Sequence, residues 1–130
     1  IMIDDEFNRM KDKNFDKWMD LAFSIRSIVG MGQQLRDDLT VIFTAHTQTE
    51  RDDTGFAHTR MKTSGKKLDK ISIESAFSTV LLSRCKDPAN KEYIFETQAN
   101  SSTAKSPMGA FDTFEIPNDV VEVIKALEEF

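Results

Sequence analysis

The run Leu39-Thr40-Val41-Ile42-Phe43-Thr44-Ala45 reads as the strongest strand in this chain. It is β-branched and aromatic and apolar on both faces, the pattern of a strand buried inside a largely parallel sheet. Upstream, Trp18, Leu21, Ala22, Ile25, Ile28, Val29 and Leu35 recur at three- and four-residue spacing, which predicts an amphipathic helix with one buried stripe. Asn14 or Asp16 suits its N-cap, and Gly30 and Gly32 weaken its second half, where the helix is expected to end or kink. Before it, Ile1-Met2-Ile3 runs into Asp4-Asp5-Glu6, an apolar strand delivering carboxylates to its tip. Strand, helix and strand in this order predict a parallel right-handed crossover. The two tips then lie side by side, with Thr44, His46 and Thr47 within reach of the crevice that holds Asp4 and Asp5.

The rest of the chain is more polar. Gln48 to Ser64 reads as a long functional loop with a turn at Asp52-Asp53-Thr54-Gly55. Ser78 to Arg84 and Tyr93 to Gln98 read as strands of an antiparallel hairpin turning at Lys86–Lys91. Pro117-Asn118 is expected to cap a terminal helix with apolar positions Val120, Val121, Val123, Ile124 and Leu127 and an acidic outer face. Phe43, Phe77, Tyr93, Phe95, Phe111 and Phe114 are expected in the core.

Composition excludes several classes. The 130 residues fit a single domain, 1–130, and no apolar run approaches the ~20 residues needed to cross a bilayer. One cysteine, Cys85, rules out an internal disulfide framework and suits a reducing cytoplasm. With two separated histidines, zinc ligation finds no set of donors. Net charge of −5 leaves no large basic surface, although Arg60, Lys62, Lys66, Lys67 and Lys70 form a local basic run. The start on Ile1, with no basic leader before the acids, reads as the start of a fragment.

Adjacent acids at the carboxyl end of a buried strand suit Mg-nucleotide hydrolysis. Asp4 would hold hydrated Mg2+, and Asp5, with Glu6 as second choice, would polarise the attacking water. The ordered set of an apolar strand ending Asp4-Asp5, a crossover helix, a strand ending Thr44-Ala45-His46-Thr47, a Lys62-Thr63-Ser64-Gly65-Lys66 loop, a hairpin and Thr103-Ala104-Lys105-Ser106-Pro107-Met108-Gly109 resembles the C-terminal half of phage-type RecA-like P-loop ATPases. The resemblance implies a fold of class α/β: a partial RecA-like sheet of parallel strands, then an antiparallel hairpin and a C-terminal helix. It also implies a Walker B role for Asp4, water activation by Asp5, a γ-phosphate sensor at Thr44 and His46, and Lys62 and Lys66, with Arg60 behind them, reaching the nucleotide of a neighbouring subunit. ATP, Mg2+, a ring or filament of identical subunits and a DNA substrate in phage recombination or replication, in the host cytoplasm, follow from it, with no membrane partner. The phosphate cradle G-x-x-x-x-G-K-[ST] is lacking: Arg60 stands where its first glycine belongs and Lys67 where its hydroxyl belongs. The fragment alone is therefore expected to be inactive.

A second reading is a non-catalytic α/β interaction module that has lost nucleotide binding. A metal-dependent nuclease or phosphatase built on Asp4 and Asp5 ranks third, because no further acid or histidine cluster completes a two-metal site. His46 reads equally as a hydrogen-bonded structural histidine, and Lys62 and Lys66 as a solvated face.

Overall fold

The computed structural model describes residues 17–62 and 73–130. They form an α/β arrangement of two helices and two small sheets. In chain order the elements are α1 (Lys17–Gln33), β1 (Thr47–Arg51), β2 (Ala57–Met61), a 3-10 turn (Ile73–Ala76), β3 (Leu82–Asp87), β4 (Glu92–Glu96), β5 (Glu115–Pro117) and α2 (Val120–Glu129). The described residues divide into two compact units, one holding residues 17–47, 61–62 and 73–76, the other residues 48–60 and 77–130.

In the first unit, α1 follows the expected stripe at three of its positions, with Val29 buried, Ile25 and Ile28 half-buried, and Phe23 and Met31 facing solvent, whereas Leu35 lies past the helix end and is 51% exposed. Neither Gly30 nor Gly32 ends the helix early; it runs through both to Gln33. Gly32 has a packing reason to be glycine, since a Cβ there would meet the Phe43 ring at 3.0 Å. The segment that ought to be the strongest strand behaves differently. Residues 39–46 run without turn or bend but join no ladder among the described residues, and Leu39, Val41, Ile42 and Phe43 are 38–56% exposed. A strand apolar on both faces is stable only between neighbours. The first expected strand, Ile1 to Asp4, lies outside the described residues. Both sheets of the described chain are antiparallel, so the expected parallel crossover is not among their ladders.

The expected loop from Gln48 onward is instead the hairpin β1–β2. Lys62 N donates to His46 O at 2.7 Å, Asp52 N to Phe56 O at 3.0 Å, and the Thr49 and Thr59 hydroxyls meet at 3.0 Å, which fixes one antiparallel register. Its turn is built around Asp52, whose Oδ1 accepts from Thr54 N (2.9 Å), Thr54 Oγ1 (2.6 Å) and Phe56 N (2.9 Å). Gly55 supplies the left-handed φ of +83° that closes it.

In the second unit the predicted hairpin forms as β3–β4, antiparallel, with Arg84 opposite Ile94 and Cys85 opposite Tyr93, and β5 adds to the far edge of β4. Strand β3 begins later than expected, at Leu82; Val80 forms an isolated two-bond bridge with Lys105. Strand β5 ends on Pro117, which an edge tolerates because the missing donor has no ladder to serve. Pro117 and Asn118 therefore do not cap α2. Asp119 does, its carboxylate accepting from Val121 N and Glu122 N. The core here holds Ile94, Ala104 and Val123 together with Glu96, Thr97 and Ser102. The aromatic core foreseen from the sequence is absent among the described residues: Phe43, Tyr93 and Phe114 are exposed, and Phe77, Phe95 and Phe111 half-buried.

Candidate functional site

Of the candidate residues, Thr44, His46 and Lys62 are described, whereas Asp4, Asp5 and Lys66 lie outside the described residues. The structure brings His46 and Lys62 together at the root of the β1–β2 hairpin, joined by the Lys62 N to His46 O bond of 2.7 Å. Residues directly opposite in an antiparallel pair project to the same side. On the alternation of an extended chain Thr44, two residues before His46, would share that side. All three residues are exposed. A hydroxyl, an imidazole and an ammonium on one solvent-facing rim can donate hydrogen bonds to an oxyanion, and the lysine adds a fixed positive charge.

Two groups that sequence reasoning passed over hold this root in place. Glu74, in the 3-10 turn, is only 7% exposed, and its Oε1 accepts from Met61 N at 2.7 Å. Gln33, the last residue of α1, donates through its side-chain amide to Ala76 O at the end of the same turn. The available signal was a lone charge in the apolar run Ile71-Ser72-Ile73-Glu74-Ser75-Ala76-Phe77, where a solvated acid is out of place.

A separate charged cluster crosses the three-stranded sheet. Arg84 bonds Glu96 (Nε to Oε1, 2.9 Å) and Glu115 (Nη2 to Oε1, 3.0 Å), and Lys86 Nζ bonds Glu115 Oε2 at 2.7 Å. The Lys86 hydrogen bond is the main reason that the Glu115 carboxyl is held below its usual range, and the same bond raises the Lys86 ammonium. An open cleft of about 380 Å³ lies beside it, lined in part by Lys86, Tyr93, Glu115 and Pro117. Its charges neutralise one another across the sheet, which suits cross-strand register rather than ligand capture.

Among the described residues no group of three or more His, Cys, Asp or Glu side chains could hold a metal ion, and Asp4, the residue expected to hold Mg2+, lies outside them. Nor is any described helix long and apolar enough to cross a membrane. Comparison with protein-family models, with curated proteins and with solved structures found no match.

Proposed function

We propose that the chain is the C-terminal portion of a RecA-like P-loop ATPase, from the Walker B strand onward, that couples Mg-ATP hydrolysis to work on DNA in phage recombination or replication. The observation that supports this best is the state of residues 39–46: an apolar, uncapped run outside any described ladder, with Ile42 56% exposed, followed at once by the rim of Thr44, His46 and Lys62. A strand of this composition calls for parallel neighbours. In the proposed sheet one of them is Ile1 to Asp4, and the polar rim then stands at the carboxyl edge, where ligands of open α/β sheets gather.

In this reading Asp4 holds the magnesium, Asp5 orients water, and Thr44 and His46 contact the terminal phosphate. Lys62 and Lys66 act on the nucleotide of an adjacent identical subunit in a ring or filament; a cation so placed stabilises developing phosphoryl charge, by on the order of 10³- to 10⁵-fold for arginine fingers. The reading requires a glycine-rich phosphate cradle upstream on the same polypeptide, since the chain contains none. The test is ATP turnover and ATP binding in the intact protein. Asp5→Asn is expected to abolish turnover while leaving binding largely in place, and Lys66→Ala to slow only the assembled form. Parental turnover by the Asp5→Asn variant would overturn the proposal.

A second reading, a non-catalytic α/β docking module, is favoured by the exposure of Phe23 (74%) and Met31 (66%) on α1. Intact protein that binds no ATP but retains a partner through α1, lost on Phe23→Ser, would select it.

A further inference from the structure

We infer that Glu74 is the positioning residue that fixes Lys62 opposite His46 at the hairpin root. The functional weight of that placement rests on the reading above; the placement itself does not. Successive amides of a strand point to opposite edges. At the end of β2 the Lys62 amide turns inward to His46 O, so the Met61 amide points to the outer edge, where Thr59 two residues earlier donates to Ser101 O at 2.7 Å. An unpaired outward amide next to apolar side chains is costly, and the Glu74 carboxylate meets it at 2.7 Å. A bond from a backbone amide to an ionised carboxylate is among the stronger hydrogen bonds in a protein.

The carboxylate is itself anchored. Ile73 beside it is 7% exposed, and Gln33 ties Ala76, two residues further on, to the end of α1. A continuous path therefore runs from the helix through the 3-10 turn to Glu74, Met61 and Lys62. Without the acceptor, the last ladder bond of the hairpin would hold Lys62 alone, at a strand end where bonds fray most easily. Through its bond to Met61 N, Glu74 acts on the hairpin root by way of the backbone.

Amide hydrogen exchange on the 130-residue chain reads the placement directly. Glu74→Ala and Glu74→Met should each speed exchange at Met61 and Lys62 by about tenfold or more, the equivalent of losing one charge-assisted bond, with β3–β4 amides unchanged. Glu74→Gln, which keeps an acceptor oxygen, should stay within about threefold of the parent. Unchanged exchange at Met61 and Lys62 in the Ala and Met variants would overturn the inference, and so would a uniform rise across the whole chain, which would mark Glu74 as a general structural residue. In the intact ATPase, Glu74→Ala and Lys62→Ala should lower turnover by similar factors and their combination by no more than either alone. If Lys62→Ala leaves turnover intact while the exchange results hold, the catalytic reading of Lys62 fails and the positioning role of Glu74 stands.

Discussion

Gly32 of α1 lies directly beneath the ring of Phe43: an added Cβ would sit 3.0 Å from Cζ and 3.1 Å from Cε2. Gly30, one residue pair earlier in the same helix, has nothing within 4 Å. Replacing a helical glycine by alanine ordinarily gains about 0.5–1 kcal/mol. Gly30→Ala should realise that gain. Gly32→Ala should gain less, because the half-exposed ring must swing away and surrender its seat on the helix. Thermal unfolding of the two variants gives the difference, and the Phe43 ring resonances should move only in Gly32→Ala. Unmoved resonances there would contradict the contact.

The hairpin turn predicts an acid response. Three hydrogen bonds from Thr54 and Phe56 converge on Asp52 Oδ1, and its carboxyl is held below its usual range chiefly by the Thr54 hydroxyl and then by the Phe56 amide. A depressed carboxyl binds its proton more weakly in the folded turn than in the unfolded chain, so it contributes stability above the ordinary carboxylate range that is lost as pH falls through the lowered value. The amide signals of Thr54 and Phe56 should therefore titrate with a midpoint below the ordinary aspartate value. A midpoint at or above the ordinary value would refute the turn geometry. Gly55→Ala should weaken the same turn at all pH values by about 1–2 kcal/mol, since a side chain at φ +83° is strained even where space is open.

The contrast between the two hairpins explains what could be read in advance. β3–β4 carries apolar residues between turn-forming Asp87, Pro88 and Asn90, and its pairing was legible to within a few residues. β1–β2 is Thr47-Gln48-Thr49-Glu50-Arg51 against Ala57-His58-Thr59-Arg60-Met61, polar on both faces, so hydropathy alternation had nothing to act on and only the turn at Asp52–Gly55 was visible. The pairing of His46 with Lys62 depends on that unseen ladder. Glu74 was hidden for a related reason: its carboxylate accepts from a backbone amide, that of Met61, which has no side-chain signature. Leu39–Ala45 reads as an apolar strand in the sequence but joins no ladder among the described residues, since a sheet partner is a property of another segment, and Ile1–Asp5 lies outside the described residues.

On the three-stranded sheet, Arg84 serves a carboxylate that water barely reaches: the Glu96 side chain is 7% exposed, against 43% for Arg84. Removing the cation leaves a nearly buried charge with a poorer partner set. Arg84→Met should cost about 2 kcal/mol, between the value of an exposed pair and that of a broken buried one. Lys86→Met, whose partner Glu115 is more open, should cost less, and it should let the Glu115 carboxyl rise toward its ordinary range. The sign for the parent pair runs both ways: the Glu115 contribution fades as pH falls through its lowered value, and the Lys86 contribution fades as pH rises through its raised one. Urea unfolding of both variants at neutral pH checks the order. A larger loss from Lys86→Met would refute it.

The entry to α2 separates two neighbouring polar residues that sequence pattern treats alike. Asn118 follows Pro117 and was expected to share the cap, but its amide reaches across to Ser83 Oγ at 2.8 Å and so ties the helix approach to β3. Asp119 occupies the cap, with extended φ and ψ of −134° and 107° and its Oδ1 2.9 Å from Val121 N. Two forces favour that choice: the carboxylate satisfies an otherwise orphaned amide, and its charge lies at the positive end of the helix dipole. Asp119→Ala should therefore cost about 1 kcal/mol, with Asp119→Asn retaining most of it because the amide oxygen still caps. Asn118→Ala removes one exposed side-chain bond and should cost about 0.5 kcal/mol. Equilibrium unfolding of the three variants decides the matter: a greater loss at Asn118 than at Asp119 would return the cap to the residue that the sequence pattern favoured and detach α2 from the geometry described for it.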